Sequence, residues 1–211
     1  SLLSALSTSK AAPESASKPF SKNRDGFVMG EGAAALVLES LEHATRRGAR
    51  ILGVLEGAGE RADSFHRTRS SPDAHATIAC VQAALEDADV TPEDVDYVNA
   101  HGTSTPENDK MEFTSMQAVF GERMSSLPMS SNKSMIGHTL TAAGAIEAVF
   151  SLMTINEGVI PPTINYDVPD PAIEIDVVPN KAREADVRRV ISNSFGFGGQ
   201  NVSLVVAAEP A

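Results

Sequence analysis

The sequence has 211 residues, of which 42% are hydrophobic, and a formal net charge of −11 at pH 7. This length and apolar content allow a substantial buried core, which excludes a disordered chain. The negative charge argues against nucleic-acid binding, which depends on Lys and Arg neutralising phosphates. The single cysteine, Cys80, excludes an internal disulfide and favours a cytoplasmic environment.

No membrane or targeting segment is expected either. Apolar runs fall short of the roughly 18 residues needed to cross a bilayer, and the opening residues lack the basic region of a signal peptide. Because the chain begins at Ser1 with what resembles the middle of a domain, we expect it to be a fragment.

The first quarter of the chain predicts loop, hairpin, helix and strand in that order. Residues 8–22 are rich in Ser, Ala, Lys and Pro without apolar periodicity, which is typical of a surface loop. Residues 26–39 place a Gly-Glu-Gly turn between two apolar runs, which predicts a hairpin. A helix over 41–48 ends in two arginines and a glycine, and 51–57 is the next predicted strand.

Strands and helices then alternate. We predict a helix over 70–89, a strand over 95–98, a helix over 109–120, a strand over 128–130 and a buried apolar helix over 139–155. Such alternation predicts a layered α/β fold.

The last part of the chain predicts strands. Pro161 and Pro162 exclude a continuing helix, and strands are predicted over 173–178, 188–194 and 201–208. The last two are expected to pair in antiparallel fashion through a glycine-rich loop.

Two histidines are the main candidates for chemistry. His101 follows a predicted strand, where ligands bind in open α/β sheets, although a histidine satisfied in a turn is the alternative. His138 is predicted to begin a helix, whose positive end favours a neutral ring. Two neutral imidazoles converging on one oxygen would form a hole for an enolate or oxyanion.

Two further features support a buried site. Glu147 lies in the predicted apolar helix and needs a partner, for which Lys133 is the candidate, unless both side chains reach water. The Phe195–Gly199 turn is either an ordinary hairpin or a gate, in which the Phe197 amide could face a developing charge. Cys80 is predicted to be a core residue rather than a nucleophile.

Residues 99–106, 130–138 and 192–199 together resemble motifs of the elongating β-ketoacyl-acyl-carrier-protein synthases, the condensing enzymes of fatty-acid synthesis. The resemblance implies that His101 and His138 are catalytic and that Lys133 and Glu147 form an ion pair that braces the site. It implies further roles for five residues, in binding the phosphopantetheine arm, supplying an oxyanion amide or gating the site: Thr103, Thr105, Phe195, Phe197 and Gly198.

The resemblance also implies a duplicated thiolase-like fold with αβαβα layers. Residues 1–50 would end the N-terminal half and residues 51–211 would form the C-terminal half. The nucleophilic cysteine of the family belongs to the missing part of the N-terminal half, so this chain alone is expected to be inactive. Expected partners are acyl carrier protein, that missing half and a second copy in a homodimer, with no cofactor beyond the carrier's phosphopantetheine.

Other functions remain open at this point. A non-catalytic partner resembling a chain-length factor would be expected to have degraded histidine motifs, whereas both are intact here; a portion of a polyketide ketosynthase is another alternative. A degradative thiolase would need a cysteine within 192–199, where none occurs. A carrier-protein docking module would use a basic patch of five arginines: Arg46, Arg47, Arg50, Arg67 and Arg69.

Overall fold

A mixed β-sheet organises the computed structural model, which describes residues 5–10 and 12–209. The helices are α1 (Leu41–Arg46), α2 (His75–Asp87), α3 (Pro106–Phe120), α4 (Lys133–Ile136) and α5 (Ala143–Glu157). The strands are β1 (Val54–Ala62), β2 (Tyr97–Asn99), β3 (Met129–Ser130), β4 (Val159–Ile160), β5 (Arg183–Glu184), β6 (Arg189–Phe195) and β7 (Gln200–Ala207).

Five of these strands pair in the order β1-β7-β6-β2-β3. Strand β7 is antiparallel to both β1 and β6, as predicted for the two last strands, whereas β2 is parallel to β6 and β3. Strands β4 and β5 form a separate two-stranded antiparallel pair. The carboxyl ends of β2 and β3 therefore lie at one edge of the sheet, where the chain continues towards His101 and Lys133.

Helices cover both faces of the sheet. Successive side chains of a strand point to opposite faces, and on β6 Asn193 contacts Glu112 of α3 while Ser194 lies beside Gly144 of α5. Helices α3 and α5 therefore lie on opposite faces, which is the predicted layered arrangement. Helix α2 joins α3 on its face and packs against β1 and β7.

The packing of α2 on β1 requires glycine. A Cβ atom on Gly59 would stand 2.0 Å from the Cys80 carbonyl oxygen, and one on Gly57 would stand 2.5 Å from that of Ala84. This close approach buries Cys80 completely, with its Sγ donating to the Gly59 carbonyl at 3.2 Å. The prediction that Cys80 is a core residue is confirmed, and burial raises the pKa of its thiol.

Two sequence predictions about strands are wrong. Residues 26–39 form no hairpin: Met29 makes an isolated bridge with His138, and 31–40 are mostly exposed without regular structure. A strand needs a neighbour for its backbone groups, and the described residues provide none for 31–40. Residues 173–178 form no strand either, since only Asp176 bridges to Pro128.

Smaller corrections concern boundaries and burial. Strand β1 begins at Val54 rather than at residue 51, and α5 begins at Ala143 rather than at 139 because a 3-10 turn, Leu140–Ala142, precedes it. Residues 8–22 form a loop as predicted, but Phe20 in this loop is fully buried in the core. No helix within residues 5–10 and 12–209 has the length and apolar character needed to cross a membrane.

Candidate active site

Two histidines lie side by side in the wall of a cavity of about 860 Å³. The ring centroids of His101 and His138 are 5.3 Å apart, with the ring planes at 85°. His101 follows β2 and is buried, whereas His138 follows α4 and is half-buried. The predicted convergence of the two imidazoles is thus present in the folded chain.

The backbone at His101 is held by a carboxylate. The His101 and Gly102 amides donate to Oε1 and Oε2 of Glu112, each at 2.8 Å. The Gly102 carbonyl accepts from the Ser131 hydroxyl at 2.7 Å. Gly102 has a φ of +36°, a conformation that glycine adopts without steric penalty, so the turn that presents His101 depends on glycine and is held by these hydrogen bonds.

His138 is held through its backbone and its ring. Its amide donates to the Val28 carbonyl at 2.7 Å, and its carbonyl accepts from the Gly30 amide at 3.0 Å. The Leu140 amide donates to its Nδ1 at 3.1 Å. Because Nδ1 accepts, the proton of the neutral ring is on Nε2, which is then available as a donor.

Both imidazoles are neutral at physiological pH. Burial, with a smaller contribution from Lys133, lowers the pKa of His138 to about 4. The same two causes, together with His138, hold the pKa of His101 well below its usual value. This shift agrees with the predicted neutrality of His138, and desolvation is its main cause. His138 does not begin α5 as predicted, but it lies two residues before the 3-10 turn that leads into α5, and the first amide of that turn donates to its ring.

Lys133 and Glu147 form the predicted ion pair. Their side chains are 2% and 1% exposed, and Lys133 Nζ contacts Glu147 Oε1. Burial nevertheless raises the pKa of Glu147. Within the described part of the chain, Glu147 Oε2 has no hydrogen-bond partner. The alternative in which both charges reach water is excluded by this geometry.

Thr103 and Thr105 form a hydroxyl pair at the cavity. Their Oγ1 atoms are 2.9 Å apart, and Thr105 caps α3 by accepting from the Asn108 amide at 3.2 Å. Both threonines line the cavity. Their hydroxyls are therefore placed to bind a polar chain that enters towards the histidines.

The loop between β6 and β7 closes one side of the cavity. Phe195 packs against His101 at 5.9 Å, while Phe197 is 50% exposed. The Gly198 amide donates to the Arg67 carbonyl and the Gly199 carbonyl accepts from the Asp63 amide, both at 2.8 Å. The loop is therefore attached to residues 63–67 rather than projecting alone.

The structure brings together most of the predicted site residues. The following six line the cavity: His101, His138, Thr103, Thr105, Phe195 and Phe197. Lys133 and Glu147 are buried outside the lining of the cavity, and the Gly198 amide donates to the Arg67 carbonyl.

The sequence interpretation missed two residues, Glu112 and Phe27. Glu112 accepts a hydrogen bond from the His101 amide. The sequence feature that could have identified it is a carboxyl on the buried face of a helix, four residues before the buried Met116. Phe27 packs edge-to-face on His138 at 5.3 Å and lies 6.5 Å from Phe197. No local pattern identified Phe27, because its segment was interpreted as a hairpin.

The five arginines of the docking interpretation have different surroundings. Arg67 and Arg69 line the cavity. Arg46 pairs with Glu42 at 3.0 Å, and Arg47 pairs with Glu39 at 2.8 Å. Those two charges are already balanced locally, so Arg67 and Arg69 are the stronger candidates for contact with an acidic ligand.

Comparison with known proteins identifies the family. Residues 52–167 match the beta-ketoacyl synthase C-terminal domain, and residues 2–44 match the beta-ketoacyl synthase N-terminal domain. The chain is 50% identical over 203 residues to 3-oxoacyl-[acyl-carrier-protein] synthase 2 of Coxiella burnetii (strain RSA 493 / Nine Mile phase I), covering 96% of this chain and 49% of that protein. It thus spans about half the length of the curated relatives it matches.

Two solved structures support the same family assignment. A beta-ketoacyl synthase from Burkholderia phymatum STM815 matches with a TM-score of 0.93 and 42% identity, covering 99% of this chain and 50% of the other. AntDE:AntF, a type II PKS acyl-carrier protein in complex with its ketosynthase bound to the hexaketide, matches with a TM-score of 0.96 and 40% identity. The match covers 99% of this chain and 51% of that chain. The predicted thiolase-like layered fold is confirmed, and the chain belongs to the beta-ketoacyl synthase family.

Proposed function

We propose that this chain forms the oxyanion-binding part of a 3-oxoacyl-[acyl-carrier-protein] synthase of fatty-acid biosynthesis. The reaction is the decarboxylative condensation of malonyl carrier protein with an acyl group held as an enzyme thioester. The observation that carries the proposal is the pair of neutral imidazoles, 5.3 Å apart, in the wall of one cavity. Covalent capture of the acyl group requires the cysteine of the other half.

The histidine pair suits loss of carbon dioxide from a malonyl thioester. As the bond to the carboxylate breaks, its electron pair moves into the thioester and negative charge develops on the thioester oxygen. The Nε2 proton of His138 and a ring proton of His101 would donate to that oxygen. Neutral donors do not attract the malonyl carboxylate electrostatically, so their interaction favours the enolate over the substrate.

The remaining residues would bind and enclose the substrate arm. Thr103 and Thr105 present hydroxyls for the phosphopantetheine amides, as their paired geometry in the cavity supports. Phe197 would supply a backbone amide for a second oxyanion. Phe195, Phe197 and Gly198 would gate entry, because the loop that carries them lies over the cavity.

We propose acyl carrier protein as the partner that delivers both substrates, bound in part by Arg67 and Arg69 at the cavity. The similarity to a ketosynthase solved with its acyl-carrier protein supports this. We also propose association with the cysteine-bearing half, a homodimeric assembly, a cytoplasmic location and no cofactor beyond the carrier's phosphopantetheine. The single cysteine supports the cytoplasmic location.

A chimera tests the proposal. The part of the Coxiella burnetii synthase that this chain does not match is joined ahead of the chain, and decarboxylation and condensation of malonyl carrier protein are followed by mass spectrometry. We expect activity, and H101A or H138A should each lower decarboxylation about 100- to 1000-fold. The matched control is H43A, since His43 is exposed on α1.

Two outcomes would contradict the proposal. Condensation by this chain alone would show that the missing cysteine is not needed. A folded chimera that binds acyl carrier protein without decarboxylating malonyl groups would favour the non-catalytic partner instead.

A further inference from the structure

Arg24 is a cation that the proposed reaction does not use, although its side chain is only 7% exposed. Arginine is rarely buried to this extent unless its charge is paired. One of its nitrogens pairs with Asp170 at 2.8 Å, and another lies 3.7 Å from Asp109 of α3. Because the planar guanidinium carries five N–H donors, it can bind backbone carbonyls as well as these carboxylates.

The carbonyls that Arg24 binds lie at the start of α3. Its Nε donates to the Thr105 carbonyl and its Nη2 donates to the Pro106 carbonyl, both at 3.3 Å. Its Nη1 also donates to the Ser21 carbonyl at 3.0 Å. One side chain thus ties its own loop, the segment 18–26, to the amino-terminal end of α3.

The segment 18–26 also holds the residue before Thr105. The Lys18 amide donates to the Ser104 hydroxyl oxygen at 3.0 Å, and the Gly26 amide donates to the Ser104 carbonyl at 2.9 Å. Ser104 is completely buried and has a φ of +68°. A residue other than glycine keeps such a backbone conformation only where its surroundings enforce it. The turn 104–106 therefore depends on contacts from the segment 18–26.

This turn carries one member of the hydroxyl pair at the cavity. The Thr105 hydroxyl oxygen accepts from the Asn108 amide at 3.2 Å and lies 2.9 Å from that of Thr103. Each hydroxyl has one proton to donate, and one of the two protons is used within the pair. The direction in which the pair presents its remaining proton to a ligand therefore depends on the position of the Thr105 backbone, which Arg24 holds.

We propose that Arg24 is a positioning residue for binding of the substrate arm, because it fixes the Thr105 backbone and so aims the hydroxyl pair into the cavity. The binding of the phosphopantetheine arm by Thr103 and Thr105 rests on the proposed function. The contact made by Arg24 does not, since it lies within this chain. The arm is remote from the bond that breaks, so its binding contributes about equally to the substrate and the transition state, and a misplaced pair should raise KM rather than lower kcat.

Kinetics of the chimera described above give the first test. R24K keeps a positive charge near Asp170 but loses the planar set of donors. We expect KM for decarboxylation of malonyl carrier protein to rise about 3- to 10-fold, with kcat changed by less than about two-fold. The matched control, R188K, changes an exposed arginine that pairs with Glu209 and should alter neither constant. An unchanged KM in folded R24K, or a lower kcat at unchanged KM, would overturn the proposal.

A double-mutant cycle separates positioning from a general effect on the structure. T105V removes the hydroxyl and should itself raise KM. If Arg24 acts through Thr105, adding R24K to T105V should change KM by less than about two-fold, whereas independent effects would multiply. Effects that multiply would therefore overturn the proposal.

NMR on this chain tests the contact without the reaction. R24K should shift the Asn108 amide signal, because that amide donates to the Thr105 hydroxyl, and R188K should not. If R24K does not fold, hydrogen exchange of the Arg24 Nε–H in the unsubstituted chain decides: slow exchange supports the contact, and exchange as fast as in an exposed arginine overturns it.

The two kinds of test fail in different ways. An unshifted Asn108 signal in folded R24K would overturn the role of Arg24, whatever the chimera does. An inactive unsubstituted chimera would count against the proposed function alone, while the NMR experiment would still test how Arg24 holds the turn.

Discussion

The side chains around the two histidines show how burial sets charge in this protein. His138 is half-buried and lies near the buried ammonium of Lys133, so both desolvation and charge repulsion disfavour its charged form. His75, on the surface beside Asp73, experiences the opposite effect, and hydrogen bonding to that carboxylate raises its pKa. The pKa of the same residue type is therefore shifted in opposite directions in two parts of one chain.

This contrast gives a pH prediction. In NMR titrations the His138 ring should protonate near pH 4, whereas His75 should protonate above its usual pKa of 6.5. Because the unfolded chain binds a proton at His138 below about 6.5 and the folded chain does not, His138 should lower stability progressively as pH falls from 6.5 towards 4. A normal titration of His138 in the folded protein would contradict this.

The buried ion pair gives a second prediction. K133M leaves the Glu147 carboxyl without its cation, and breaking a buried pair typically costs about 3–5 kcal/mol. Urea unfolding should show that loss, and the double variant K133M/E147L should recover most of it because no charge remains buried. R46M, which breaks the exposed pair with Glu42, should cost much less. Equal losses for K133M and R46M would show that the pair is not buried in solution.

At the scale of elements, the segment 26–30 and the turn at His138 depend on each other. Gly30 lies so close to α4 that a Cβ atom there would stand 2.1 Å from the Ile136 carbonyl oxygen. The Gly30 amide also donates to the His138 carbonyl. The segment predicted as half of a hairpin instead holds a candidate catalytic residue in place.

G30A is therefore predicted to displace His138. The clash should cost about 1–3 kcal/mol, as overpacking of a tight contact does, and the His138 ring signal should shift. G48A is the control, because a Cβ atom at Gly48 meets no other atom within 4 Å, although the φ of +67° there adds strain. An unshifted His138 signal in folded G30A would contradict the proposed contact.

For the whole molecule, the exposed apolar residues form the main feature outside the cavity. Val37 is 87% exposed and Leu38 is 72% exposed, within a stretch that pairs with no described strand. Leu52 and Leu55 are also exposed near the start of β1. Strongly exposed apolar side chains in a stretch without a strand neighbour are typical of a surface that another protein segment covers.

We expect this chain alone to bind the dye ANS and to self-associate in sedimentation experiments. Joining the amino-terminal part of the Coxiella burnetii synthase should reduce dye binding, because that part would provide strands and side chains to cover 31–40. V37E/L38E in the chain alone should also reduce association. A monodisperse chain that binds no dye would show that these side chains are covered in another way.

The sequence by itself determined the layered α/β order, the burial of Cys80 and the pairing of Lys133 with Glu147. It also predicted a neutral His138. These features follow from local patterns, because apolar periodicity reports burial and a charge in an apolar helix requires a partner.

Only the tertiary structure decided that His138 is neutral through burial, that Phe27 packs on its ring and that Glu112 clamps the peptide after His101. Glu112 and the amides it holds are only 10 and 11 residues apart, yet their meeting depends on how α3 packs against the end of β2. The same holds for 26–39, where the missing neighbour for a strand, rather than the local pattern, decided the conformation.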